Sequence, residues 1–300
     1  MRVKHSHYFL LRSNMRFYYF RIADLFFELR SPKKLAILPC MEPFRIEFVR
    51  KPDLIYKIVC NQLKFDVKRV VSKGDFSVVQ DRERFIRIKY VAIDKQIYPI
   101  FLSPDKHKNT YMLCLPNDYM DANAVLFDKM QLWSFLAPEE GILAYQGFIL
   151  HSSIIEWNGK AILFTAPSGT GKSTQAELWK KYAGADVYNG DRTIVRKINN
   201  VYYGFGSPFA GSSGIYRNKS APVRAIVVLT QAENNQIYRL YGKQAFLPLF
   251  RETLMNTWNP AYMESMTDLL MDTITNVPIY HLACRPDRDA VRLVKETLFQ

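Results

Sequence analysis

Short runs in which β-branched or aromatic residues alternate with polar ones fill the first third of the chain. They are RFYYFRIADLFFELR, FRIEFV, LIYKIVC, LKFDVKRVV, FSVVQ, FIRIKYVAI and QIYPIFL, broken by Pro, Asp, Gly or Lys. A period of two over four to eight residues is that of a pleated strand with one face buried. Residues 15–117 are therefore expected to form a β-rich lobe. From 118 the period lengthens: DYMDANAVLFDKMQLWSFLA places Met120, Val125, Leu126, Met130, Leu132, Trp133 and Leu136 near one face of a helix. A domain boundary is expected just before it, giving a second domain over 118–300.

In that second domain two apolar runs meet in GFILHSSIIEWNGKAILFTAPSGTGKS. Asn158-Gly159 between them predicts a two-residue hairpin turn, because such a turn needs positive φ at both positions. With Trp157 opposite Lys160, His151 comes to face Ala166. The helix STQAELWKKYAG should close on Gly184, and ADVYNGDRTIVRK should give a short strand ending at Asp191, beside the strand of AILFT, and then a return strand. VYYGFG and PVRAIVVLTQ predict strands on either side of the glycine- and serine-rich GSPFAGSSGIYRNKSAP. KQAFLPLFRETLMNTW and PAYMESMTDLLMDTITN predict helices, and VPIYHLACRPDRDAVRLVKETLF a strand, a turn and a last helix. Strands and helices in this order make the fold α/β (α+β overall).

Composition narrows the class. Three hundred residues, 48% hydrophobic and 23% charged, suit a folded chain and argue against disorder or coiled coil. There is no run of eighteen apolar residues, so no membrane span is expected. The basic leader, residues 1–14, reads as a flexible tail, with Met1 or Met15 as the true start. Cys40, Cys60, Cys114 and Cys284 form no Cys-x-x-Cys pair, which suggests neither a zinc knuckle nor a disulfide framework and fits a reducing cytoplasm. The net charge is +13, of which +11 lies in the first 120 residues. Such a surface could attract an acidic peptide, a nucleic acid or a membrane face, or be simply a solubilising surface of scattered Lys and Arg. No aromatic-rich RNA-binding signature or groove-reading helix accompanies it, so nucleic acid is not an expected partner.

The stretch APSGTGKST between strand and helix carries the chemistry. Successive backbone N–H groups at a helix N-terminus converge on phosphate oxygens, and glycines let the backbone approach. Pro167, Ser168, Gly169, Thr170, Gly171, Lys172, Ser173 and Thr174 are the expected nucleotide-binding residues. Lys172 would reach the β- and γ-phosphates and Ser173 or Thr174 would give a hydroxyl to Mg²⁺. Ala166 stands where this Walker A pattern has its first Gly, at little cost if φ is negative there. Asp191 is the candidate carboxylate for the metal or for the acceptor's proton, and it also reads as a solvated member of an Asn-Gly-Asp turn. His151 is either a site residue or a packed strand histidine.

The order LHSSIIEWNGKAILFTAPSGTGKST, ADVYNGDRTIVR, GSPFAGSSGIYRNKSAPVRAIVVL resembles the HPr kinase and phosphoenolpyruvate carboxykinase type of P-loop protein over about residues 140–300. It is most similar to the uncharacterised serine-kinase-like branch, some members of which sit with peptide-modifying enzymes. The resemblance implies a P-loop kinase domain with ATP and Mg²⁺ as cofactors. It places the family's histidine on His151, its phosphate-binding lysine on Lys172 and its metal-binding hydroxyl on Ser173. The family's pair of aspartates falls on Gly190 and Asp191, so one acid is missing. Thr174 stands where HPr kinases have glutamate, and HPr itself is not supported as the substrate.

Together these readings predict an ATP-dependent kinase acting on a hydroxyl of a peptide, protein or small metabolite. Asp191, His151 and Lys172 are its expected catalytic residues, Ser173 and Asp191 its metal ligands. Ser212, Ser213 and Arg217, with Lys219 nearby, form a loop that could cap the acceptor or equally be an ordinary mobile loop. The alternative is a non-catalytic nucleotide-binding sensor or peptide-recognition subunit. A homo-oligomer is compatible with either.

Overall fold

The structure, a computed structural model, describes residues 15–60 except 36 and 50, residues 69–72, residues 76–115 except 82–83, 94, 106 and 108, and residues 135–299 except 210. The chain divides into two compact units, Met1–Gly141 and Ile142–Gln300. Both the leader 1–14 and most of the helix expected from 118 lie outside the described residues. Large β-sheets and few helices make the fold mixed α+β. Among the described residues, no helix is long and apolar enough to cross a membrane.

The first unit is built on one sheet of nine strands: β1 (Arg16–Ile22), β2 (Leu25–Ser31), β3 (Arg45–Ile46), β4 (Leu54–Cys60), β5 (Arg69–Ser72), β6 (Ser77–Asp81), β7 (Arg84–Ile93), β8 (Gln96–Pro104) and β9 (Thr110–Leu115). Their order is β3-β1-β2-β4-β9-β8-β7-β6-β5. RFYYFRIADLFFELR is a hairpin rather than one strand. Ala23 and Asp24 take φ of 51° and 56°, the left-handed pair that a tight hairpin turn needs. FRIEFV contributes only the two residues of β3. A strand that the pattern did not single out, β9, runs parallel to β4 at the centre, with Leu113, Cys114 and Leu115 wholly buried. Burial on both faces erases the alternation that reveals a strand.

In the second unit the strands are β10 (Gly147–Trp157), β11 (Lys160–Thr165), β12 (Asp186–Asn189), β13 (Arg192–Ile198), β14 (Val201–Phe205), β15 (Ser220–Gln231), β16 (Gln236–Leu240) and β17 (Ile279–Cys284). They form one sheet in the order β11-β10-β13-β14-β15-β17-β16; β12 pairs with β10, and β11 also pairs in parallel with β15. A short helix, α1 (Pro138–Leu143), spans the division between units. The helices of the second unit are α2 (Lys172–Ala183), α3 (Gly242–Glu252), α4 (Pro260–Asn276) and α5 (Arg288–Phe299).

Both faces of this sheet are covered. Leu163 packs with Phe148, Leu150, Met266 and Leu270 in one core, and its neighbours Ile162 and Phe164 pack with Trp179, Val291 and Leu298 in the other. Alternate side chains of AILFT thus feed opposite layers, which is why that strand reads as a continuous apolar run. Trp179 is fully buried against Trp157 and Phe164, and truncating such a side chain to Ala costs about 3–5 kcal/mol. That packing fixes α2 on β11, and with it the loop that joins them.

Two elements differ from expectation. The helix read from KQAFLPLFRETLMNTW ends at Glu252, because Thr253 leaves it to form an antiparallel bridge with Leu150. Pro248 inside α3 already removes one of its hydrogen bonds. Asp191, in turn, does not end a strand beside β11. It sits in the link between β12 and β13, both of which pair with β10.

Candidate active site around the phosphate loop

The hairpin of β10 and β11 turns at Asn158 and Gly159, with φ of 51° and 71°, and pairs Trp157 with Lys160 through to Ser152 with Thr165. One step beyond that ladder, His151 stands level with Ala166 at the mouth of the loop. Its carbonyl accepts the Thr165 hydroxyl at 2.9 Å. On its other edge His151 pairs with Arg192 of β13. A single strand thereby brings the histidine, the loop and the β12–β13 link together.

The loop itself follows from its glycines. Gly169 and Gly171 take φ of 79° and 116°, and a Cβ at either would meet nothing within 4 Å. Backbone conformation, not space, is what demands glycine there. Ala166 is absent from the positive-φ residues and is buried, so it serves without a glycine's freedom. Gly171 leads directly into α2, whose free N–H groups and dipole face the cavity. Lys172 is folded back: its Nζ donates to the carbonyls of Ala166 at 2.8 Å and Pro167 at 3.1 Å. Burial pushes its ammonium below the usual lysine range, while the carboxylates of Glu252 and then Asp191 act in the opposite direction.

Asp191 is aimed by Asn189. The buried Asn189 side chain accepts the backbone N–H groups of Asp191 and Arg192, both at 2.8 Å, and donates to the carbonyls of Ser207 and Phe209. This is the Asn-Gly-Asp turn, and its carboxylate still faces the loop. Asp191 Oδ1 lies 3.6 Å from His151 Nε2 and its Oδ2 lies 3.7 Å from Arg192 Nε. Ser173 Oγ donates to the Gly190 carbonyl at 3.3 Å, tying the start of α2 to the same link.

A cavity of about 370 Å³ results, lined by His151, Ser168, Gly169, Gly171, Lys172, Ser173, Thr174, Gly190 and Asp191. A neighbouring one of about 360 Å³ shares Gly169, Gly171 and Thr174 and adds Thr170, Gln175, Leu229, Gln231, Cys284 and Arg285 among others. It opens at the C-terminal ends of the parallel strands β15 and β17, where α/β sheets hold ligands. Pro167 lines neither cavity and contributes its carbonyl to Lys172 and to the Thr170 N–H.

The glycine- and serine-rich loop partly joins the site. Gly211–Ser213 forms a 3-10 turn that holds Ser212 in its middle. A Cβ on Gly211 would meet Asp191 Cβ at 2.5 Å, and one on Gly190 would run into the Ser213 side chain, its Cβ 2.6 Å away. Arg217 is not brought in. Its guanidinium is held by Asp186, which also binds Lys219 Nζ at 2.7 Å.

One residue at this site escapes sequence reading. Glu252, at the end of α3, places its Oε2 2.9 Å from His151 Nδ1, within hydrogen-bond distance, 101 residues away in sequence. An acid inside an amphipathic helical run carries no local signal. Pro248 in the same run marks a weakened helix but does not say where it ends.

No curated protein sequence matches the chain. Among solved structures, the HPr(Ser) kinase/phosphatase from Coxiella burnetii is similar at 15% sequence identity, covering 50% of this chain and 87% of that one with a TM-score of 0.29, an overlap too loose to transfer an activity. The family model for the SynChlorMet cassette protein ScmC matches residues 112–285, from β9 through the loop, the link and Glu252 to the end of β17. The chain belongs to the ScmC family.

Proposed function

We propose that the second unit is an ATP-dependent phosphotransferase that moves the γ-phosphoryl group to a hydroxyl, on a serine of a peptide or protein or on a small metabolite. The observation that carries this reading is a single cavity joining the phosphate loop, Lys172 and Ser173 to the carboxylate of Asp191. A nucleotide would lay its phosphates on the loop amides at the start of α2 and its nucleoside in the neighbouring cavity. Lys172 would exchange the carbonyls of Ala166 and Pro167 for β- and γ-phosphate oxygens, giving its buried charge an anionic partner in direct contact.

Asp191 lines the same cavity. It would accept the proton of the acceptor hydroxyl as that oxygen bonds to the γ-phosphorus and the bond from phosphorus to the leaving ADP oxygen breaks. The residues fit Mg²⁺: Ser173 and Asp191 supply hard oxygen donors on one cavity, and among the described residues no group of three or more His, Cys, Asp or Glu forms a closed metal cage. Mg²⁺ is usually held by one or two protein oxygens, waters and substrate phosphates. When bound, it would neutralise charge developing on the β and γ oxygens.

A second reading has one observation in its favour. Only one carboxylate stands on the link, and the space beside Gly190 is filled by Ser213. A nucleotide-binding sensor or peptide-recognition subunit would need no more. Incubation with ATP and Mg²⁺, with ADP release and calorimetric binding followed in wild type and in Asp191→Asn, separates the two. Turnover that falls by about a hundredfold or more in the variant, with binding kept, supports the phosphotransferase. Binding without turnover in wild type selects the sensor.

A further inference from the structure

We infer that Glu252 is a positioning residue of this site, a second acid standing behind His151, which fixes the ring of His151 with its proton on Nδ1 so that Nε2 is the nitrogen presented to Asp191 and the loop. The inference rests on the phosphotransferase reading for what the histidine serves, and on geometry alone for the pairing itself.

The pairing is built into the backbone. Leu150, next to His151, bridges Thr253, next to Glu252, and the Leu254 N–H donates to the Ile149 carbonyl at 2.9 Å. Two segments a hundred residues apart are thus zipped for one step, and the side chains flanking that step are the two that meet. The exit from α3 is held as well: Thr253 Oγ1 caps the Leu249 carbonyl at 2.7 Å and Tyr262 Oη donates to the Leu254 carbonyl at 3.2 Å. The Glu252 side chain is only 13% exposed, so its position is set by packing and not by solvent.

An ionised carboxylate only accepts hydrogen bonds. At 2.9 Å, Nδ1 must therefore carry the proton, and the other nitrogen is left to act. Nε2 faces Asp191 Oδ1 at 3.6 Å, too long for a direct hydrogen bond. With the proton on Nδ1, Nε2 and the ionised Asp191 both accept, so a bound group with two donor protons, such as a water, can serve both while a hydroxyl donates to one of them. Glu252 also comes before Asp191 among the charges acting on Lys172, so it adds negative charge behind the loop. Gly190 cannot carry an acid while Ser213 packs on it. The second carboxylate therefore enters from α3, behind the histidine.

The test uses the full-length protein with ¹⁵N-labelled histidine. Long-range ¹H–¹⁵N spectra at alkaline pH report the tautomer of each ring, and His151→Ala identifies the signal. Glu252→Gln keeps the size of the side chain but can donate as well as accept, and Glu252→Ala removes the partner. We expect an Nδ1–H ring in wild type and a shift towards Nε2–H in both variants. ATP turnover should fall about ten- to a hundredfold, the scale for outer partners that orient a functional group, while nucleotide affinity moves by less than about threefold. An Nε2–H ring in wild type, an unchanged tautomer in both variants, or equal losses of affinity and turnover would overturn the inference. A wild type that shows the expected tautomer changes without turning ATP over upholds the pairing and sinks the phosphotransferase reading instead.

Discussion

Gly190 offers the sharpest test of how the site is packed. Its φ is not in the left-handed region, so a side chain there is conformationally allowed and only space forbids it. An added Cβ would meet Ser213 Cβ at 2.6 Å, and although a serine hydroxyl can rotate away, its Cβ is fixed by the 3-10 turn Gly211–Ser213. Gly190→Ala should therefore force that turn off the link, at the overpacking cost of about 1–3 kcal/mol. For a unit of this size each kcal/mol lowers the melting temperature by roughly 2–4 °C. Ser213→Gly alone removes, among its contacts, the hydroxyl that accepts the Ile215 N–H at 3.3 Å, and should cost about 1 kcal/mol, the worth of an ordinary hydrogen bond. Combined, the two changes should couple favourably by about 1–2 kcal/mol, because the second removes what the first collides with. Urea unfolding of the two single variants and the double variant measures this. Strict additivity would mean that Ser213 does not occupy the space beside Gly190, and the explanation for the missing acid would fail with it.

Lys172→Ala should weaken ATP binding by about ten- to a hundredfold, the worth of a charge-assisted contact, with the fold intact; unchanged affinity by calorimetry refutes the loop assignment. Asp272 accepts Lys197 Nζ at 2.7 Å and the Tyr202 hydroxyl at 2.5 Å, and these bonds, Lys197 first, hold its carboxyl below the ordinary value of 3.8. A depressed carboxylate adds stability that is present above pH 3.8 and lost as pH falls through the folded-state value. Asp272→Asn should accordingly flatten the acid limb of the stability curve below about pH 4 and lower stability little more than an exposed pair does, by under about 1 kcal/mol; an unchanged acid limb refutes it. Burial pushes the Cys114 thiol up to about 12, so it should resist alkylation at pH 8 until the first unit unfolds, and rapid labelling of the native protein would contradict that.

What was legible in the sequence follows from how local each signal is. Asn158-Gly159 specifies a turn by the φ values of two residues, and from that turn the whole β10–β11 register follows, down to the level of His151 with Ala166. The helix α2 is bounded by Gly171 and Gly184, both left-handed, and α4 starts at Asn259, which caps the Tyr262 N–H, with Pro260 following. β9 and β16 were not singled out. The first is apolar on both faces and the second is a short edge strand in which the adjacent Tyr238 and Arg239 are both exposed, so neither shows a clean period.

The site was legible where it is sequential and illegible where it is assembled. The loop's phosphate-facing chemistry lies within nine consecutive residues, and spacing alone exposes it. The aim of Asp191 depends instead on Asn189 reaching Ser207 and Phe209, and the company of His151 depends on where α3 stops. Amphipathic periodicity runs on past Glu252, because Leu254 and Met255 continue the apolar pattern. The helix nevertheless ends there, since Thr253 gains a strand partner in Leu150 and Leu254 one in Ile149. That bridge, with the Leu254 N–H on the Ile149 carbonyl at 2.9 Å, takes the place of one more turn of helix. An acid that sequence periodicity places on the outer face of a helix is turned by that competition into the inner neighbour of a histidine. A resemblance read position by position along one strand end finds an acid missing at Gly190 and cannot see that another segment brings one in.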